Sequence, residues 1–174
     1  QLHDLQKRGV KNGIKGIKYV LQNELKDYEP HVTGVSALYC PETGIVDYNQ
    51  VCKKLSESIQ KDNTIRNNTE VLNISERSDY ITISTGKIEF KAKFLINCAG
   101  LFSDIITELA GVKRTMRIIP FRGEYYMLKK EAKYLVKNLI YPVPDPRYPF
   151  LGVHFTRNIN GTIEAGPNAV LAWA

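Results

Sequence analysis

Phe94-Leu95-Ile96-Asn97-Cys98-Ala99-Gly100-Leu101-Phe102-Ser103-Asp104 is the stretch on which the fold turns. Phe94 to Asn97 is nearly all apolar and predicts a buried strand, Cys98-Ala99-Gly100 is a tight turn of small residues, and Ser103 or Asp104 starts a helix. Ile105, Ile106 and Leu109 give that helix an apolar face, and Gly111 stands where a C′ residue would end it. A strand that delivers Ala-Gly to a helix N-terminus lets backbone amides approach a ligand, and the helix dipole favours a phosphate there. Turns of this kind also occur where nothing binds, so by local rules alone both readings stand.

Upstream of this unit the hydrophobic period is two: Val71 and Ile74, then Tyr80, Ile81 and Ile83, then Ile88 and Phe90. Breaks at Glu76 to Asp79 and at Thr85-Gly86 predict an antiparallel meander. Further back the period is helical, with Val51, Leu55 and Ile59 on one face behind Asp47, whose side chain can cap free amides. Pro41 to Gly44 is turn chemistry, and Asn23 to Tyr28 reads as a short capped helix stopped at Pro30. Leu2 to Leu25 is apolar but interrupted by Gly9, Gly13 and Gly16, which predicts short helices with loops. These glycines have neither the spacing nor the preceding strand of a dinucleotide loop, and no P-loop is present.

Downstream, Ile118 to Leu128 reads as strand, followed by a basic stretch, the segment Leu135 to Tyr141 and a proline-rich loop, Pro142 to Pro149. Leu151 to Thr156 and Thr162 to Ala165 predict a hairpin, with Asn160-Gly161 supplying positive backbone angles.

The 24 Lys and Arg against 18 Asp and Glu leave a net charge of +6, but the cations are scattered among acids and form no stripe. That distribution argues against nucleic acid and suits an anionic small substrate. Cys40, Cys52 and Cys98 are odd in number and widely spaced, which suggests neither a disulfide framework nor a metal site and fits a reducing compartment. No apolar run approaches the roughly 18 residues of a membrane span, so a soluble cytoplasmic protein is expected.

Four places in the sequence could carry substrate chemistry. Arg122 is a fixed cation suited to holding a carboxylate by two parallel hydrogen bonds, or a surface partner of Glu124. His154, in an apolar strand, could take a hydroxyl proton, or could be a satisfied core residue. Gly166-Pro167-Asn168 is a rigid turn that could present backbone amides to a ligand or none. Tyr125, with Tyr126, Tyr141 and Tyr148, could line a pocket, though aromatic residues on strands are usually core.

Taken together, Glu29-Pro30-His31-Val32, Thr43-Gly44-Ile45-Val46-Asp47-Tyr48, the Asn97 to Asp104 stretch, Pro120-Phe121-Arg122-Gly123-Glu124-Tyr125, Tyr141-Pro142-Val143-Pro144, Leu151 to Thr156 and Gly166 to Val170 resemble the L-2-hydroxyglutarate oxidase or dehydrogenase group of the D-amino-acid-oxidase-like FAD oxidoreductases. The resemblance implies a mixed α/β (α+β) fold, part of an FAD-binding Rossmann-like domain beside an antiparallel substrate-domain sheet. It divides the chain into an inter-domain helical and loop segment (1–60), a flavin-side part (61–113) and a substrate-side part (114–174). It places Val71 at the adenine and Cys98, Ala99, Gly100 and Ser103 at the pyrophosphate. Arg122, Tyr125 and Asn168 would bind a small 2-hydroxy acid, and His154 would act as base. Oxygen or a quinone would accept the electrons, and peripheral membrane association of a longer protein stays open.

Relatives acting on glycerol 3-phosphate or on an amine, and a binding remnant without catalysis, are the alternatives. The Gly-x-Gly-x-x-Gly loop of that group is not in the sequence, and the chain begins mid-element and stops at Ala172-Trp173-Ala174 without a terminating signal. A piece of a longer protein is therefore expected, inactive alone and unable to retain FAD by itself.

Overall fold

In the computed structural model, residues 1–172 of the 174 are described, so of the Ala172-Trp173-Ala174 end only the first lies within them. Two compact units are present, one of Gln1–Lys54 with Arg122–Val170 and one of Leu55–Phe121 with Leu171–Ala174.

The first unit opens with helix α1 (Leu2–Lys11), ended by Asn12 and by left-handed turns at Gly13 and Gly16. Lys18–Leu21 is not helical, as the apolar run had suggested, but forms strand β1. It pairs antiparallel with β2 (Ser36–Tyr39), which sets Val20 opposite Ala37 and leaves it 2% exposed. A cross-strand partner decides the state of a short apolar run that periodicity leaves ambiguous. Between these strands a 3₁₀ turn (Gln22–Glu24) leads into α2 (Leu25–Tyr28), which stops before Glu29-Pro30 as expected. Glu24, not Asn23, supplies the side-chain bond at this start, accepting from the Leu21 N–H at 2.8 Å. Helix α3 (Tyr48–Ile59) forms behind Asp47, whose Oδ1 accepts the Asn49 N–H at 2.9 Å.

The second unit holds the expected meander: β3 (Asn73–Glu76), β4 (Ile81–Ser84) and β5 (Glu89–Ala92), antiparallel in the order β3-β4-β5. Its register sets Ile74 opposite Ile83 and Ile83 opposite Phe90, so the alternating apolar residues meet on one face. Phe94 to Asn97, expected as an apolar strand, joins no ladder, and Phe94 and Ile96 are exposed at 85% and 83%. Apolar sequence alone does not make a strand, because its N–H and C=O groups need a neighbouring strand, and the described residues offer none. Helix α4 (Ser103–Leu109) starts where predicted. It closes through Gly111 (φ +76°) in a Schellman arrangement, with the Gly111 N–H on Glu108 O and the Val112 N–H on Thr107 O.

The expected strand Ile118 to Leu128 survives only as β6 (Phe121–Arg122) and β7 (Tyr126–Met127). The interruption has a cause in the first unit: a Cβ at Gly123 would lie 2.9 Å from Pro167, and Glu124 directs its backbone to Asn168. After a 3₁₀ segment (Lys130–Leu135) and the proline-rich loop, β8 (His154–Arg157) and β9 (Ile163–Gly166) form the expected hairpin, starting three residues later than predicted. Gly161 alone has positive φ there, and Asn160 instead accepts hydrogen bonds from the Thr162 N–H and hydroxyl. The sheet order is β7-β9-β8, and Ile163 on its central strand is 1% exposed.

Glu29 ties the halves of this unit together. Both its oxygens are spent on N–H donors: Lys137 N–H at 3.0 Å, Asn138 N–H, and the Asn138 side-chain amide at 2.7 Å. At 7% exposure it receives these bonds largely away from water. Glu29→Ala strands those amides, and an equilibrium urea titration should show a loss of about 2–3 kcal/mol.

Candidate active site

The turn Cys98-Ala99-Gly100 is held by its neighbour Asn97. The Asn97 Oδ1 accepts the Ala99 N–H at 3.1 Å, while its Nδ2 donates to Ser103 O at 2.8 Å and to Thr107 Oγ1 at 3.2 Å. One side chain thus locks the turn to the first turns of α4. Gly100 sits at φ +59° with open space where a side chain would be, so a ligand can approach its backbone closely. Cys98 is exposed, Ala99 and Ser103 are half-buried, and the Ser103 carbonyl, not its hydroxyl, makes the structural bonds. Val71 lies just ahead of the meander, where Leu72 donates its N–H to Ser84 O. These five positions, singled out from the sequence for a cofactor, all belong to the second unit.

Beside the turn, Asp104 joins the segment after α4: its Oδ2 accepts from Arg114 Nη1 and from the Ile118 N–H, each at 3.2 Å. Desolvation pushes the Asp104 carboxyl up, but the Ile118 and Ile105 amides and Arg114 together hold it below its ordinary pKa.

The substrate-side candidates lie in the first unit. Arg122 Nη2 donates to Glu124 Oε1 at 2.7 Å, and Asn168 Nδ2 donates to Glu124 Oε2 at 2.9 Å. Asn168 also accepts the Glu124 N–H through Oδ1 at 2.9 Å and donates its own N–H to Glu124 O. Asn168 therefore acts first on Glu124, and the backbone amide that the turn was expected to offer a ligand is consumed there. The Asn168 and Arg122 hydrogen bonds hold the Glu124 carboxyl below its ordinary pKa, against a smaller upward push from desolvation. Arg122 is 63% exposed, leaving the rest of its guanidinium fork open to solvent.

Register brings His154 to the same end of the sheet, since it stands opposite Gly166, next to Pro167-Asn168. Tyr125 packs there too, its ring so close to Gly166 that a Cβ at that glycine would lie 2.7 Å away. His154 is half-buried and not a core residue; its ring stacks on Tyr141 with centroids 4.6 Å apart. Its Nδ1 lies 3.0 Å from Gly152 O. A carbonyl only accepts, so Nδ1 carries the proton and Nε2 of the neutral ring keeps a lone pair. The tyrosines are not core either, since Tyr125, Tyr126, Tyr141 and Tyr148 are 50%, 85%, 49% and 66% exposed.

Sequence reasoning assigned no role to Asn97, which was findable, because an Asn two residues before a turn amide commonly accepts from it. The Arg122–Glu124 ion pair is the surface pairing that the sequence offered as one alternative. The Glu124–Asn168 link and the Tyr141–His154 stack were not legible, since those partners lie 44 and 13 residues apart in sequence. Among the described residues no group of His, Cys, Asp and Glu could hold a metal ion.

The chain belongs to the DAO family of FAD dependent oxidoreductases, whose model matches residues 1–172. Similar proteins include the L-2-hydroxyglutarate dehydrogenase of Indibacter alkaliphilus, 49% identical over 99% of this chain and 44% of that protein. The mitochondrial L-2-hydroxyglutarate dehydrogenases of Bos taurus and Homo sapiens are 42% and 41% identical, again over 99% of this chain and 40% of theirs. A solved glycine oxidase from Bacillus cereus superimposes with TM-score 0.75 at 17% identity, covering 99% of this chain and 45% of that one, which shows the fold. The chain thus spans less than half the length of these relatives.

The open backbone at Gly100, held by Asn97, fits an FAD approaching this turn. Asn97→Ala removes the lock, and flavin fluorescence titration of the protein carrying this chain should show FAD affinity falling about tenfold, on the order of one to two hydrogen bonds. The Arg122–Glu124–Asn168 chain has a pH dependence of definite sign. Because the Glu124 pKa is lowered by folding, the clamp is intact at neutral pH and is lost as pH falls through that depressed value. NMR titration of the Asn168 side-chain amide should show its signals moving only at the acid end, below the ordinary glutamate range.

Proposed function

We infer that the protein carrying this chain is an FAD-dependent oxidoreductase that converts L-2-hydroxyglutarate to 2-oxoglutarate. The observation that carries this reading is the 49% identity, across 99% of the chain, to a protein named L-2-hydroxyglutarate dehydrogenase. The arrangement of the substrate-side residues supports it. Arg122, steadied by Glu124, offers its open guanidinium edge to the carboxylate beside the reacting carbon. His154, with Nδ1 anchored on Gly152 O, takes the C2 hydroxyl proton at Nε2. Tyr125 and Asn168 border this end of the sheet, Tyr125 against the substrate and Asn168 through Glu124.

When bound, FAD supplies the acceptor for the hydride that leaves C2. Val71 and the Cys98, Ala99, Gly100 and Ser103 turn would hold it, which assigns residues 61–113 to the flavin side and 114–174 to the substrate side. Residues 1–60 make up the remaining, inter-domain part of this division. Oxygen or a quinone takes the electrons onward in this reading, and the chain alone does not retain FAD. No helix among the described residues is long and apolar enough to cross a membrane. The mitochondrial label belongs to the animal relatives, and a cytoplasmic site, with peripheral membrane attachment of the longer protein, is our proposal here.

The test is the visible spectrum of the FAD-loaded protein under anaerobic addition of L-2-hydroxyglutarate, glycerol 3-phosphate or glycine. Bleaching by the first alone supports the reading, and bleaching by either of the others replaces it. In the same protein His154→Gln should lower kcat by roughly 10²- to 10⁴-fold. An unchanged kcat removes His154 from the mechanism.

A further inference from the structure

His154 can take a proton at Nε2 only while its own proton stays on Nδ1, where the Gly152 carbonyl accepts it. A free histidine side chain favours the opposite tautomer, with the proton on Nε2. The ring is half-buried at the first residue of β8, so it can also turn about its outer torsion. Such a turn puts a ring carbon where Nδ1 was and breaks the bond to Gly152. One contact at the ring edge resists that rotation weakly, and a second contact on the ring face resists it better.

Tyr141 supplies the second contact. Its ring lies on the imidazole with centroids 4.6 Å apart and planes 24° apart, a stacked pair. Backbone pairing brings the two rings together. Ile140 and Phe155 exchange both of their N–H···O bonds, at 3.0 and 2.9 Å, in an antiparallel bridge. The neighbours of such a pair face each other at closer range, and here those neighbours are Tyr141 and His154. Arg157 ties the same two segments further along, donating from Nη1 to Val136 O at 2.9 Å and to Lys137 O at 3.3 Å.

The residue after Tyr141 acts on the other contact. Pro142 packs on Gly152 so closely that a Cβ there would lie 3.0 Å from Pro142 Cγ. Tyr141-Pro142 thus covers one face of the imidazole and braces the residue whose carbonyl accepts its N–H. All of these residues belong to the first unit.

We propose that Tyr141 is a positioning residue for the oxidation inferred above. Its ring face holds the His154 imidazole in the Nδ1-protonated orientation and leaves Nε2 free for the substrate hydroxyl. The ring, and not the phenol hydroxyl, makes the contact. The proposal rests on the inferred function, with His154 as base, and its test separates the two.

The FAD-loaded protein carrying this chain is isotope-labelled at its histidine ring nitrogens, and NMR follows the neutral His154 ring, identified by its loss in His154→Gln. In wild type the Nδ1 shift should be that of a protonated nitrogen and the Nε2 shift that of a bare one. Tyr141 is half-exposed, so Tyr141→Leu leaves the backbone bridge in place. In that variant the two shifts should move toward each other as the Nε2-protonated form becomes populated. Tyr141→Phe keeps the ring face and should keep the wild-type shifts. Turnover of L-2-hydroxyglutarate should follow the same order, with kcat about tenfold lower and KM within about twofold in Tyr141→Leu, and both within about twofold of wild type in Tyr141→Phe.

Unchanged ring shifts in Tyr141→Leu overturn the proposal. So does a Tyr141→Phe variant as slow as Tyr141→Leu, which puts the role on the hydroxyl. A raised KM with unchanged kcat in Tyr141→Leu also overturns it, because Tyr141 then touches the substrate and does not hold the base. The nitrogen shifts are read without turnover. A displaced tautomer in Tyr141→Leu, in a protein that does not oxidise L-2-hydroxyglutarate, therefore keeps the ring-holding role of Tyr141 and sinks the inferred activity.

Discussion

Backbone groups outside helices and strands still need hydrogen-bond partners, and at the points that matter most here side-chain amides and carboxylates supply them. Asn97 does so for the turn ahead of α4, Glu29 for the segment after Leu135, and Asn168 for Glu124. Each is a short polar side chain reaching the backbone of a segment that has no ladder of its own. Such bonds are worth little singly, but each is costly to leave unmade once its donor is shielded from water. The candidate site is built from these tied segments, so its geometry is inherited from them.

This explains why the candidate positions lie next to interruptions of regular structure. The strand expected through Ile118 to Leu128 breaks at Gly123-Glu124 because the Asn168 turn claims both the N–H and the C=O of Glu124. The break leaves Tyr125 outside the strands and puts Arg122 at the end of β6, its side chain steered by Glu124. His154 begins β8 in the same way, with its imidazole set by the Gly152 carbonyl just outside the strand.

Both units are sparsely cored. Among the described residues, Val20, Leu25, Val136 and Ile163 in one unit and Ile74 in the other are the buried large apolar residues, while Phe94, Ile96 and Met116 stand exposed. The exposure of Phe94 and Ile96 coincides with the stretch that has strand sequence and no strand partner.

Sequence by itself determined the elements whose cause is local. The meander followed from alternation in step with its turns, α3 from Asp47 ahead of a four-residue apolar spacing, and α4 from a small-residue entry and Gly111 at its end. Residue order likewise carried the family resemblance, because motif identity survives without any knowledge of contacts. Tertiary structure alone decided what depends on partners far along the chain. It made Lys18–Leu21 a strand through Ser36–Tyr39, left Phe94 to Asn97 without a ladder, and joined Arg122 to Asn168 through Glu124. It also set the Tyr141 ring on His154. A hydrogen bond or ring contact between distant residues leaves no periodic trace in either segment, so only the folded chain reveals it.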